Sequence, residues 1–234
     1  MRGRTKPLPA LAEGVIRIIP LGGVEEIGRN MTVVEFQDDI IVIDMGLQFS
    51  DDDTPGIDYI LPNTRYLEER KEKIRAVVIT HGHLDHIGGV PYLLPRIGNP
   101  PVYTRNLTAL MLRKRHEEFP NLPPLHIKVI EGNERIAFKT LALRFFGVTH
   151  SIPDSMGIII ETPYGNIVTP GDYKLDHRDG VPTEEEEEKY ALFEREKNLL
   201  LMTDSTNIEN PGFSTPEEVV GKNLAEIVRS AKGR

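Results

Sequence analysis

A short strand-like run that ends in a cluster of histidines constrains this chain more than any other feature. Residues 76–94 read AVVITHGHLDHIGGVPYLL, and three of the chain's seven histidines fall within six positions there. His81, His83, Asp85 and His86 form the pattern H-x-H-x-D-H. Imidazole is the commonest protein ligand for Zn²⁺, and a carboxylate adds charge and tolerates Mn²⁺. In an extended chain residues i and i+2 share a face, so His81 and His83 can chelate one ion. Gly82 lets the backbone bend between them. Asp85 and His86 then fall where a helix begins, turned toward a second position. The β-branched run before the cluster supplies the rigid base that a metal site needs. Scattered surface histidines are the competing reading, but composition alone produces such a pattern in roughly one chain in a thousand of this size.

A metal site needs further ligands. His150 ends the run FFGVTH, and Asp172 ends IVTPGD. Each takes the strand-end position that the first cluster takes, and beside a strong upstream motif both become candidate ligands. Asp44, in IIVIDMG, is a third strand-end carboxylate, able to hydrogen-bond a ligand histidine or simply to cap a turn.

The 234 residues suit one large domain or two small ones, and 39% hydrophobic content suffices for a core. There is no cysteine, which excludes disulfides and thiolate ligands and agrees with a cytoplasmic setting. No secretory leader and no apolar run of membrane-spanning length, roughly 18 to 20 residues, is visible. The net charge of -8 argues against a broad nucleic-acid surface on this chain, although bound cations would offset it locally.

Strand-like runs recur at 15–20, 31–36, 40–45, 76–80, 101–104, 126–130, 141–148, 155–162, 166–172 and 198–204. Helical patterns cover 63–73, 86–97, 106–119 and 215–234. DD at 38–39 and YG at 164–165 read as hairpin turns. The run EEEEE (184–188) reads as a solvated face at a helix start, and RKR (113–115) is the best basic patch, more simply a solvated helix face. Strands with interspersed helices predict an α/β layered domain, and the fully apolar strands predict sheets covered on both faces.

These motifs resemble the metallo-β-lactamase superfamily: DMG (44–46), HGHLDH (81–86), TH (149–150) and GD (171–172). Within it, PLGGVEEIGRNMTVVEF (20–36), TPGIDYILP (54–62), THSIPDSMGIIIETPYGNIVTPGDYKLD (149–176) and LLMTDSTNIENPGFSTPEEVV (200–220) are similar to the ribonuclease J family. The resemblance implies a four-layer αββα sandwich with two metal ions at one edge of the paired sheets, Zn²⁺ first and Mn²⁺ second. It implies one ion on His81, His83 and His150, the other on Asp85 and His86, and Asp172 bridging both. Asp44 would support them, Asp85 would orient or deprotonate the attacking water, and Asp204 in MTDSTN would have at most a supporting role. The implied reaction is hydrolysis of 5′-monophosphorylated RNA through a metal-activated hydroxide, as 5′→3′ exonuclease and endonuclease, in mRNA decay and RNA maturation.

The family's pattern also includes an inserted β-CASP domain and late histidines, one completing the second metal and one in an SGH motif at the scissile phosphate. After His150 this chain has His177 alone, in DHRDG, which matches no ligand motif. The expected organisation is therefore a flexible tail (1–14), the first part of a metallo-β-lactamase domain (15–208), and a linker with the first helix of an otherwise absent β-CASP domain (209–234). A homodimer or larger assembly is the family expectation. Two alternatives stay open: another metallo-β-lactamase hydrolase acting on a thioester or lactone, and a non-catalytic metal-binding fragment.

Overall fold

The chain forms two β-sheets packed face to face, and the apolar alternation along their strands shows why. The structure is a computed structural model that describes residues 11–50, 55–132 and 134–233; most of the expected tail at 1–14 lies outside them. The first half supplies β1 (Ile16–Gly22), β2 (Met31–Phe36), β3 (Asp39–Ile43), the short ribbon β4 (Gln48–Phe49) with β5 (Tyr59–Ile60), then β6 (Ile74–Val78), β7 (Val102–Thr104) and β8 (Ile127–Val129). The second half supplies β9 (Ile136–Ala137), β10 (Ala142–Gly147), β11 (Met156–Thr162), β12 (Gly165–Thr169), the ribbon β13 (His177–Arg178) with β14 (Val181–Pro182), and β15 (Asn198–Leu201).

The first sheet has the order β1-β2-β3-β6-β7-β8, antiparallel through β3 and parallel beyond it. The second has the order β15-β12-β11-β10-β9, with only the β12–β15 pair parallel. In β2 and β3, Val34, Phe36, Ile41 and Ile43 point between the sheets and meet Leu143, Phe145, Ile158 and Ile160. The alternate residues Met31, Val33, Ile40 and Val42 point the other way, onto a helical layer. All five residues of β3 are buried, as expected of a central strand with both faces covered.

The helical layer over the first sheet comprises α1 (Arg65–Glu68), α2 (Leu84–Ile87), α3 (Val90–Leu93) and α4 (Asn106–His116). Over the second sheet, Phe146, Ile159 and Val168 pack against Tyr190, Leu192 and Phe193 from α5 (Glu184–Ala191) and the 3₁₀ turn after it. The order helix, sheet, sheet, helix is the four-layer arrangement. The last helix, α6 (Glu217–Ser230), has no buried residue.

Several boundaries differ from the sequence reading. The helices expected at 63–73 and 86–97 are each broken into short α and 3₁₀ turns: α1 with a 3₁₀ turn at Lys71–Lys73, and α2 and α3 with one at Pro95–Ile97. Pro91 and Pro95 start new turns in the second case, since proline suits the first turn of a helix and breaks its interior. Helix α4 stops at His116 rather than 119. The first hairpin turns at Gln37 and Asp38, and Asp39 is already in β3 and buried.

Asp39 joins the two sheets. Its carboxylate accepts hydrogen bonds from the Arg75 Nε (2.7 Å) and from the Thr140 and Leu141 amides (2.5 and 3.1 Å) at the entry to β10. Burial alone would raise its pKa, but Arg75 and the amides outweigh burial and hold it below the ordinary 3.8. A depressed carboxylate contributes stability that is present above the ordinary carboxylate range and is lost as pH falls through the folded value. Asp39→Asn is therefore expected to lower the urea midpoint at pH 7 by the equivalent of about 1.5–3 kcal/mol. The gap from the parent should shrink below about pH 4; a gap that persists in acid would show that the charge is not what joins the sheets.

Candidate metal centre

The ligand candidates meet because four loops leave the sheets at one edge. The sequence reading places these residues at strand ends; in the structure they sit one to three residues beyond. Asp44 follows β3 directly, His81 lies three residues past β6, His150 three past β10, and Asp172 three past β12. Their side chains are therefore aimed by loop conformation. Asp44 has φ +57°, the left-handed region, which turns its carboxylate back toward Thr80.

The Asp44 carboxylate is buried and accepts from the Thr80 amide (2.8 Å) and the Thr80 hydroxyl (3.0 and 3.1 Å). It also lies 2.8 Å from the His86 Nδ1. This contact turns the His86 Nε2 toward Asp172 Oδ2 (3.4 Å) and Asp85 Oδ2 (3.5 Å). Thr80 Oγ1 also lies 3.0 Å from the His81 Nδ1, leaving the His81 Nε2 to face inward.

Two sets of ligand atoms converge. His81, His83 and His150 offer nitrogens within 4.8 Å of one another, and the nitrogens of His81 and His86 and a carboxylate oxygen of Asp172 converge equally closely. The His81 Nε2 lies 3.0 Å from the His83 Nδ1, which lies 3.3 Å from the His150 Nε2. Asp172 Oδ2 reaches both sets, at 3.9 Å from the His81 and His150 Nε2 atoms. Asp85 stands beside the second set with its carboxylate about one-third exposed.

The protonation pattern suits cations. Burial, then the neighbouring His86 charge, pushes the His81 imidazole down to about 3, and burial also lowers His150. Both are neutral at pH 7, as ligands must be. Burial alone would lower His86 too, but the Asp44 charge, with Asp172 and Asp85, raises it well above its usual value. Burial opposes ionisation of Asp172, but the hydrogen bond and charge of His86 hold it at about 2. Two carboxylates thus face the His86 Nε2, with Asp44 at the Nδ1, and a divalent ion can replace a proton at the Nε2. Converging imidazole nitrogens beside a shared carboxylate form a donor set that fits divalent cations.

Close packing fixes this geometry. A Cβ on Gly46 would lie 1.6 Å from the Asp85 carbonyl oxygen and 2.8 Å from the Asn30 nitrogen, so three segments meet where only glycine fits. The sequence reading does not single out Asn30 or Thr80. The Asn30 Nδ2 lies 3.1 Å from Asp85 Oδ2 and 3.0 Å from the His86 Nε2. Its one signal is a short polar side chain in a glycine-rich loop directly before an apolar strand. Asp204 is not at a strand end: β15 stops at Leu201, and Asp204 caps its own loop by accepting from the Thr206 amide (2.8 Å). It lines the same cavity of about 880 Å³ as Asp44, Asp85, His86 and Asp172.

Other expectations change. Glu186, within the run read as a solvated face, is buried and accepts from the Thr149 hydroxyl (2.7 Å) and Lys189 (2.9 Å), next to His150. His177 stands apart from the cluster, contacting the Ser214 carbonyl (2.7 Å) and accepting from the Gly180 amide. In RKR, Arg113 and Lys114 are exposed, whereas Arg115 donates to the Gly88 carbonyl (3.4 Å).

Fold and site together define a metallo-β-lactamase-type metal centre, and the chain belongs to the metallo-β-lactamase superfamily, whose profile matches residues 24–206. Among curated relatives, ribonuclease J of Thermus thermophilus is 43% identical over 225 residues, covering 94% of this chain and 39% of that protein. Ribonuclease J 1 of Streptococcus pyogenes is 38% identical over 226 residues, covering 96% and 40%. The chain thus spans about two-fifths of the length of these relatives. Among solved structures, a protein of unknown function from Enterococcus faecalis V583 superposes with a TM-score of 0.70 at 19% identity, covering 94% of this chain and 58% of that one. The Rm3 metallo-beta-lactamase gives 0.52 at 18% identity, covering 91% and 83%. These structural likenesses concern the fold.

Asp44→Asn keeps the side chain's size and removes the charge that orients His86. It is expected to weaken Zn²⁺ binding about 10- to 100-fold, measured by competition with a chromophoric chelator. Unchanged affinity would remove Asp44 from the centre.

Proposed function

We propose that this chain carries the metal-binding part of a ribonuclease that hydrolyses RNA phosphodiester bonds, as 5′→3′ exonuclease and endonuclease, in mRNA decay and RNA maturation. The observation that carries the proposal is the pair of ligand sets spanned by Asp172, in a chain 36–43% identical to ribonuclease J proteins over most of its length. The proposed setting is cytoplasmic, on 5′-monophosphorylated RNA, in a homodimer or larger assembly. Among the described residues no helix is long and apolar enough to cross a membrane.

His81, His83 and His150 would hold one ion, His86 and Asp85 the second, with Asp172 between them. When bound, two divalent cations, Zn²⁺ or Mn²⁺, supply Lewis acidity toward a phosphate oxygen and lower the pKa of water from 15.7 to about 7. The chain's own residues do the rest. Asp85 is the most exposed carboxylate of the cluster, and in this reading it orients the attacking water and accepts its proton. Asp44 keeps the His86 Nε2 forward throughout. The cavity wall includes Glu25, Glu26 and Asp204, so the protein alone would repel a phosphodiester, and the attraction has to come from the cations.

In this reading residues 15–208 are the metallo-β-lactamase part and 209–234 lead into an inserted second domain. That domain and the later chain of the longer protein would supply the basic RNA surface and the last histidine ligand. The test is cleavage of 5′-monophosphorylated RNA by the longer protein with Zn²⁺ or Mn²⁺. His81→Ala is expected to reduce the rate about 10³-fold or more, the equivalent of several kcal/mol of lost metal stabilisation. Turnover of a thioester or lactone, with RNA untouched, would favour the other hydrolase reading.

A further inference from the structure

We infer that Asn30 is a positioning residue of this centre, holding the Asp85 carboxylate beside the Nε2 edge of His86. The inference rests on the reading of Asp85, His86 and Asp172 as facing one ion, and it names a residue outside that ligand set.

The backbone of Asn30 is fixed independently of its side chain. Its amide donates to the Asp85 carbonyl (3.0 Å), and its own carbonyl accepts from the Gly46 amide (2.9 Å). The missing Cβ at Gly46 lets these three strands of chain approach so closely. Those bonds belong to the main chain and survive most substitutions at position 30. The side-chain amide is therefore free for another role, and it spans the gap between Asp85 Oδ2 (3.1 Å) and the His86 Nε2 (3.0 Å).

Asp85 needs such a partner. It lies in the first turn of α2, a helix of four residues, and its carboxylate is about one-third exposed. An exposed carboxylate on so short a helix samples several rotamers unless something holds it. Its other side-chain contact is His86, at 3.5 Å, the next residue along the chain. Asn30 reaches it from 55 positions away and so fixes it relative to the sheet.

The chemistry of the amide is the one that fits. Asp44, Asp85 and Asp172 all lie around His86. A lysine or arginine at position 30 would hold Asp85 but repel a divalent ion beside it. A carboxylate there would add to the repulsion among the acids in the ion-free chain. A neutral donor orients Asp85 without either cost.

The experiment uses the longer protein, whose later chain would complete the ligands, titrated with Zn²⁺ by calorimetry and with Co²⁺ by visible absorption. The parent is expected to bind two ions. Asn30→Ala should leave the first affinity unchanged, weaken the second about 10- to 100-fold, and shift the absorption of the second Co²⁺ equivalent. The thermal midpoint of the metal-free chain should stay within about a degree of the parent, because the main-chain bonds remain. In an Asp85→Ala background, Asn30→Ala should add no further loss, since the amide acts through Asp85. Unchanged binding of both ions, or an equal loss at both with a lowered metal-free midpoint, would overturn the inference. A parent that binds no second ion would instead overturn the two-ion reading, and Asn30 with it.

Discussion

The buried Asp44 carboxylate is the interaction on which the metal centre depends. It takes two hydrogen bonds from Thr80 and aligns His86, tying the end of β3 to the loop that carries all of H-x-H-x-D-H. A carboxylate buried to this degree is costly unless its oxygens are hydrogen-bonded, and here the amide, the hydroxyl and the imidazole engage both of them. Thr80 passes the same order on, since its hydroxyl also meets the His81 ring. One acid thereby sets the facing of two histidines.

Around that point the protein concentrates opposing charges in a small volume. Neutral His81 and His150 face acids that favour a positive charge at His86. The two halves of the cluster thus have different electrostatic characters: one contains the neutral His81 and His150 rings, the other a His86 ring flanked by carboxylates. Asp172 belongs to both. That asymmetry gives one set nitrogen ligand atoms alone and the other a mixture of nitrogen and oxygen.

Much of this was legible in the sequence because the ligands carry an unusual residue type at a fixed spacing. The layered α/β fold followed from fully apolar runs such as 40–43, whose alternate residues serve two different cores. The strand ends were harder. The runs 166–172 and 198–204 continue through Pro170-Gly171-Asp172 and Met202-Thr203-Asp204, whereas β12 stops at Thr169 and β15 at Leu201. The supporting residues were hidden for another reason. Asn30, Thr80 and Glu186 are ordinary polar residues, and their roles depend on partners 55, 36 and 37 positions away. Glu186 shows the limit of reading charge runs as solvent-facing, because one turn of a helix can bury a single member while exposing its neighbours.

Strand β3 has an aspartate at each end, and the two have different duties. Asp39 fastens one end to the second sheet through Thr140 and Leu141, while Asp44, just past the other end, fastens the loop of the metal centre. The strand is thus a strut clamped at both ends, with four buried residues between the clamps. Strain introduced at one clamp has little slack in which to dissipate before reaching the other. The exposed Val24 and Ile27 lie in the loop between β1 and β2, which does not hang from this strut, so that part of the rim can vary without loosening it. Selection on new substrates would act on the overhanging loops, and selection on the strut would act on whether there is a centre at all.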